Sequence, residues 1–405
     1  MENTKENPML NNRQLFLQHN AQTTFFPLLL EMERAEGTFI WDVNGKRYFD
    51  LISGIAVSNV GHGNKKVIDA ITHQVQSYMH LMVYGEYVQS PQVKFAKKLC
   101  EILPDNLQSV YFVNSGAEAV DGALKLAKRY TGKYKTISCK NAYHGSSQGV
   151  LSIMGNETYK HAFRPLIPGN TIIEFGSFED LKLINETFAC VVIETLQGEA
   201  GVRIADRSYY KALSETCKKH GVLLVLDEIQ CGMGRTGKMF AFEHMNIVPD
   251  VLCLSKSLGG GMPLGAFISS KEIMQTLAHE PMLGHITTFG GHPVCCAAGL
   301  AALEYTLENN LIALIEEKEQ LIRNKLVHPK IMEIRGKGLL LALQFDSFET
   351  NKKIIDCCIK NGVISDWFLF CDDAMRIAPP LIISKQEIEE ACDIILQSID
   401  EILDL

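Results

Sequence analysis

The stretch LDEIQCGMGRTGKMFAFEHMNIVPDVLCLSKSLGGGMPLGAFI, Leu226 to Ile268, places two glycine-rich loops after short apolar runs. Gly232, Gly234 and Gly237 satisfy the dinucleotide pattern GxGxxG, and Gly232 to Lys238 satisfies the P-loop pattern GxxxxGK. Neither phosphate-binding reading survives its neighbours. A dinucleotide turn has to open a helix, because the pyrophosphate rests on the helix N-terminus. Here KMFAFEHMNIVPD follows the glycines, short, aromatic and stopped by Pro249. A P-loop needs glycines directly after the strand and a hydroxyl after the lysine to ligate magnesium. Asp227 to Gln230 intervene, and Met239 stands where the hydroxyl belongs. The glycines are therefore read as a turn and loop, and the informative residues of this stretch are its acid and its lysine.

Outward from this stretch, residues 60–315 alternate apolar runs with amphipathic patterns: VYFVN, then AEAVDGALKLAKRY; CVVIET, then RSYYKALSETCKKHG; VLLVLDE; VLCLSK. Continuous β-branched and Leu-rich runs flanked by helices predict a mainly parallel sheet covered on both faces, hence a large α/β domain over 61–315. The ends read differently. Residues 1–60 carry the hairpin signal Asn44-Gly45 between strand-like runs. A long helical pattern, AAGLAALEYTLENNLIALIEEKEQLIRNKL, leads into 316–405, where GLLLALQF and MRIAPPLIIS alternate with helices. The N-terminal segment and this C-terminal part are expected to build a smaller α+β domain together.

The chain has 405 residues, 46% hydrophobic and 21% charged, with a formal net charge of −8. This is a globular composition without attraction for polyanions or a basic arm, so nucleic acid and membrane surfaces are not expected partners. The N-terminus MENTKENPMLNNRQ lacks a charged-then-apolar signal pattern, and no apolar run reaches the roughly 18 residues of a membrane helix. A cytoplasmic protein is expected. Twelve cysteines lie scattered in apolar runs with no CxxC spacing. They read as reduced thiols, and no metal site is expected.

Asp227 ends an apolar strand at the side where ligands bind in open α/β sheets. Alone it is equally a turn cap. Lys256 follows the next apolar run, 29 residues on, and precedes Gly259-Gly260-Gly261. A lysine desolvated in such a loop has a lowered pKa and serves as nucleophile and base. A carboxylate and a lysine at the ends of successive strands are what a pyridoxal phosphate enzyme requires: the carboxylate keeps the ring nitrogen protonated, and the lysine holds the aldehyde.

The whole stretch from Leu226 to Ile268 resembles the signature of class III pyridoxal-phosphate aminotransferases, the family containing ornithine, acetylornithine and 4-aminobutyrate aminotransferases. Further matches are NSGAEAVDGALKLAKRY, AYHG, ETLQGEAGV, TTFGGHP and MRIAPPL, spread in order from about residue 36 to 395. The resemblance implies a fold-type-I dimer with pyridoxal 5′-phosphate as cofactor. It implies that Ser115, Gly116 and Ala117 cradle the phosphate, that Tyr143 stacks on the ring with His144 beside it, and that Asp227 holds the ring nitrogen. It further implies that Gln230 lies near the phenolic oxygen, that Thr288 reaches the phosphate in the neighbouring subunit, and that Lys256 carries the reaction. On local sequence alone, Ser115 reads equally as a helix N-cap and Tyr143-His144 as a structural pair.

The resemblance also pairs Glu199, in QGEAGV, with Arg376, in RIAPPL; the arginine, once released, binds the α-carboxylate of 2-oxoglutarate or glutamate. A static interdomain ion pair is the alternative. The expected reaction moves an amino group from an ω-amino acid, diamine or amine to an α-keto acid, with an aminomutase or racemase of the same fold as the alternative. One departure bears on the donor. Relatives read His-Gly-Arg where this chain has His144-Gly145-Ser146, and loss of that arginine removes about 2 to 4 kcal/mol of charged hydrogen bonding from a distal carboxylate. His292 stands where many relatives have Asn.

Overall fold

The structure is a computed structural model and describes residues 10–403; residues 1–9 of the N-terminal segment and 404–405 lie outside the described residues. Its centre is a seven-stranded sheet in the order Ser109–Val113, Gly265–Ser269, Val251–Leu254, Leu223–Asp227, Phe188–Glu194, Lys135–Cys139, Asn170–Ile173. Only Gly265–Ser269 runs antiparallel to its neighbours. Side chains alternate between faces along a strand. Leu224 and Leu226 accordingly join one apolar layer with Leu252 and Leu254, while Leu223 and Val225 join the opposite layer with Val251, Cys253 and the helix Gly116–Thr131. Both faces are covered, as continuous apolar strands require.

Two four-stranded sheets flank this core. In one, Met32–Glu36, Phe39–Asp42 and Arg47–Asp50 are joined by Val363–Ile364, whose residues pair in parallel with Phe49 and Asp50. The two ends of the chain therefore share a sheet. Asn44-Gly45 is the hairpin turn: Asp42 Oδ1 accepts from the Asn44 and Lys46 amides at 2.9 Å, and Gly45 takes φ +78°. The other sheet has the order Glu333–Lys337, Leu340–Gln344, Cys371–Ile377, Trp367–Phe368, with every pairing antiparallel.

The long helical pattern after Pro293 is not one helix. It breaks after Pro293–Glu308, where Asn310 adopts φ +48°, and resumes as Ile315–Lys325. Asparagine tolerates the left-handed region better than other non-glycine residues, so the Asn309-Asn310 pair interrupts an otherwise unbroken apolar period. No helix among the described residues is long and apolar enough to cross a membrane.

The glycine loop that opened the reading forms turns, with no helix before the short 3-10 turn at Ala241–His244. Gly234 and Gly237 take φ near +90° (+90° and +87°), so the chain can fold back under the C-terminal strands. Arg235 is the loop's anchor. Fully buried, it donates to the carbonyls of Leu339 (2.9 Å) and Pro379 and to the Asn59 side-chain oxygen, and Asn59 donates back to the Met233 carbonyl at 2.9 Å.

Candidate active site

Side-chain alternation decides which acids face the site. Asp227 shares parity with Leu223 and Val225 and therefore points toward the Gly116–Thr131 helix. On the adjacent parallel strand Glu194 shares parity with Cys190 and Val192, and it is the register partner of Asp227. Both carboxylates thus face the same cavity. Glu228, the next residue, turns to the other face, where it accepts from Thr195 Oγ1 at 2.8 Å and from the Ala241 and Phe242 amides at 2.6 Å.

That cavity encloses about 380 Å³, bounded by Gly116, Tyr143, His144, Glu194, Asp227 and Lys256, with Glu199 and Gln230 at one side. His144 Nδ1 lies 2.8 Å from Asp227 Oδ2, both groups buried, and Asp227 Oδ1 accepts from the Ile229 amide at 3.0 Å. Burial works against a charged imidazole, but the bond to Asp227 together with the charges of Asp227 and Glu194 outweighs it and raises the His144 pKa. Glu194 accepts one amide on each oxygen, from Tyr143 (3.0 Å) and Gly198 (2.9 Å). Burial pushes its carboxyl up to about 7, against the pull of His144.

Lys256 leaves the end of the Val251–Leu254 strand with φ +49°, a conformation a lysine adopts only under constraint from its surroundings. Burial lowers its pKa, partly offset by the charge of Glu199. A lysine that loses its proton more easily than one in water is a better nucleophile and base at neutral pH.

At the cavity's other end the helix Gly116–Thr131 presents its first turn. Ser115 is the N-cap, its Oγ accepting from the Glu118 amide at 3.2 Å; Gly116 and Ala117 line the cavity. First-turn amides without helical partners and the helix dipole together favour an anion there. A Cβ at Gly116 would meet Ile229 at 2.8 Å, so the backbone approaches this side of the cavity because residue 116 has no side chain.

Arg376, on the strand Cys371–Ile377, is buried behind Glu199. Its Nη1 and Nη2 donate to the two Glu199 oxygens at 3.2 and 3.1 Å, and its Nε donates to Asp366 at 2.8 Å. Burial alone would raise Glu199, but Arg376 holds it down at about 2, so the pair is ionised throughout the physiological range. Asp366 moves the other way: burial, helped by the charges of Glu199 and Asp50, raises it against the pull of Arg376. Gln230 Nε2 donates to Glu199 Oε1 at 3.1 Å.

The sequence-predicted residues Gly116, Ala117, Tyr143, His144, Glu199, Asp227, Gln230 and Lys256 therefore meet at one cavity, with Ser115 and Arg376 directly behind its lining. Thr288 does not join them within this chain: it is exposed in the loop before Gly290. His292 caps the helix Pro293–Glu308, its Nδ1 accepting from the Val294 amide at 3.3 Å while its ring stacks on His80. Glu194 and Asp366 were not singled out from sequence. Parity along FACVVIE, read against the strand of Asp227, would have found Glu194; nothing local to Asp366 signals its partner.

The fold is that of pyridoxal-phosphate-dependent transaminases. Residues 20–399 match the family described as Aminotransferase class-III, and the chain belongs to that family. It is 38% identical over 359 residues to the acetylornithine aminotransferase of Methanopyrus kandleri, covering 88% of this chain and 90% of that protein. The acetylornithine aminotransferase of Methanocaldococcus jannaschii is likewise 38% identical, over 381 residues, with coverages of 91% and 92%. Among solved structures, an ornithine aminotransferase from Toxoplasma gondii, which has PLP at partial occupancy in its active site, superposes with a TM-score of 0.89 at 29% identity, covering 96% of this chain and 93% of its own. The protein is a pyridoxal-phosphate-dependent aminotransferase, and its substrates are an amino donor and a keto acid.

The cavity's residues fit that cofactor. An anion-favouring helix N-terminus, a buried carboxylate and a lysine of lowered pKa line the same space. Two buried polar atoms on its wall, His144 Nε2 and Gln230 Oε1, have no partner among the described residues. Buried polar groups are seldom left unpaired, and a polar ligand in this cavity would offer them partners.

Proposed function

We propose that this enzyme transfers an amino group from a donor bearing a terminal primary amine to an α-keto acid, 2-oxoglutarate first among them, with Lys256 as the catalytic residue. Gly116 and Ala117, with the Ser115 hydroxyl, would hold the phosphate at the helix N-terminus, and Tyr143 and His144 would hold the ring. Bound pyridoxal phosphate supplies an electron sink that lets a proton leave the amine-bearing carbon of the substrate. Asp227 holds a proton on the ring nitrogen, and the Asp227–His144 bond fixes the carboxylate in place. Gln230, on the cavity wall, would lie near the phenolic oxygen. Lys256 Nζ, which lines the cavity with a lowered pKa, would hold the cofactor and would serve as base and acid for the proton on the amine-bearing carbon of the substrate.

One observation carries the acceptor assignment: a bidentate Glu199–Arg376 pair borders the same cavity as Lys256. The planar guanidinium offers an α-carboxylate the geometry that Glu199 already uses. Donor choice follows from Ser146. It is exposed, and its Oγ lies 3.2 Å from the Tyr143 hydroxyl, so the donor's distal end meets hydroxyls where relatives present a guanidinium. An ω-amino acid, a diamine or a simple amine fits that end. Rates for a panel of such amines against 2-oxoglutarate and pyruvate test both halves, with Arg376→Ala expected to raise KM for the keto acid. An unchanged KM would make the pair a static tie.

The reading extends to a cytoplasmic homodimer with shared sites, Thr288 reaching the phosphate of the second copy. Phe25, Phe26, Val88 and Met282 are 80–98% exposed, apolar area that a second copy would cover. It also takes 61–315 as the cofactor-binding domain and 1–60 with 316–405 as the smaller one. A sedimentation mass of one chain at micromolar concentration would refute the dimer.

A further inference from the structure

The guanidinium of Arg376 is held on three sides, and a substrate carboxylate can compete for only one of them. Nη1 and Nη2 donate to Glu199, Nε donates to Asp366 Oδ1 at 2.8 Å, and the Phe368 ring lies beneath the plane with its centroid 4.4 Å from Cζ. Asp366 is also tied to Arg376 through the backbone: its carbonyl accepts from the Arg376 amide at 2.9 Å, and the neighbouring Ser365 Oγ donates to the Arg376 carbonyl at 2.5 Å. These ties belong to the C-terminal sheet and do not depend on Glu199, which comes from the loop after Phe188–Glu194.

Consider the moment a keto acid enters. If Glu199 were the sole counter-ion, its departure would strand a guanidinium whose side chain is 2% exposed, and a buried unpaired charge opposes that departure strongly. The freed side chain would also lose the contact that sets its plane. With Asp366 on Nε and Phe368 beneath, the cation keeps a counter-charge and an orientation while the Nη edge opens. An incoming α-carboxylate then restores the count of two carboxylates to one guanidinium, and Glu199 retains the Gln230 amide as a partner.

We propose that Asp366 is a positioning residue that keeps Arg376 aimed and charge-balanced while Glu199 gives way to the acceptor's carboxylate. This rests on the reading that Arg376 receives that carboxylate. Asp366 touches neither substrate nor cofactor; it acts through Arg376.

Steady-state kinetics on the holoenzyme with 2-oxoglutarate test it, using Asp366→Asn, Glu199→Ala and Arg376→Ala. Asp366→Asn is expected to raise the acceptor KM roughly tenfold, the scale of weakening a charge-assisted bond to a neutral one, with kcat reduced less than about threefold. Glu199→Ala is expected to leave the acceptor KM at or below the wild-type value, because Asp366 still holds the cation, while kcat falls because the Gln230 amide loses its acceptor. An Asp366→Asn KM within about twofold of wild type overturns the inference, provided Arg376→Ala raises KM. Equal loss in KM and kcat accompanied by a lowered Tm also overturns it, since that is merely structural damage. If Asp366→Asn does not fold, Glu199→Ala decides: a tenfold KM increase there overturns the proposal. An unchanged KM in Arg376→Ala removes the underlying reading and the inference with it.

Discussion

Glu194 and Asp227 stand side by side as register partners on adjacent parallel strands, and both face His144. The pair shares the imidazole of His144, and the crowding of two carboxylates appears in Glu194, which burial and the adjacent Asp227 charge push up to about 7. A carboxyl whose folded pKa exceeds its unfolded value contributes stability in its protonated form. That contribution is complete below about 4.5 and is lost as pH rises through about 7, in total on the order of 3 kcal/mol. The cofactor-free protein should therefore lose stability with rising pH across this window, and Glu194→Gln should show a shallower slope. Its absolute Tm will be lower throughout, because the amide accepts from only one of the Tyr143 and Gly198 amides. Equal slopes in thermal melts between about pH 5 and 7.5 would contradict the assignment.

Lys256→Ala removes the only amine lining the cavity among the described residues. The purified variant should lose the yellow colour of covalently held cofactor and all measurable turnover, with secondary structure by circular dichroism intact. Retained turnover would place the chemistry elsewhere.

The legible parts of this molecule were those written in a local period. Continuous apolar runs gave the parallel sheet, Asn44-Gly45 gave the hairpin, and the acid and lysine at strand ends gave two residues that both line the cavity. What escaped was nonlocal. Glu194 needs the register between two strands, Asp366 needs the approach of a strand ten residues away, and Arg235 looked like part of a phosphate loop because its acceptors lie more than 100 residues distant in sequence. Thr288 marks a different boundary. Its expected partner is a second chain, so no reading of one chain brings it to a site.

Arg235 carries the strongest stability prediction. It bridges Asn59, Leu339 and Pro379 with no carboxylate bound to it among the described residues, and burial draws its pKa down to about 9. Arg235→Met leaves those three acceptors unpaired in the interior and should cost about 3 to 5 kcal/mol in urea unfolding. Arg235→Lys should rescue little, because one ammonium cannot span acceptors that the forked guanidinium reaches together. A loss below about 1 kcal/mol in either variant would mean the loop is not the clasp described.

Gly198 offers a steric test of Gln230. A Cβ built on Gly198 would lie 1.6 Å from Gln230 Oε1, a distance no side chain tolerates, so Gly198→Ala must displace the Gln230 amide. The displaced amide can no longer donate to Glu199, and it leaves the wall of the cavity. Gly198→Ala is therefore expected to reduce kcat/KM by roughly the amount lost in Gln230→Ala, on the order of tenfold for one hydrogen bond to a charged group. The two changes act through one contact, so they should not add: Gly198→Ala combined with Gln230→Ala should be no worse than Gln230→Ala alone. Additive losses in that cycle would mean that Gly198 matters for its own backbone, whose amide binds Glu194, and not for the room it leaves to Gln230.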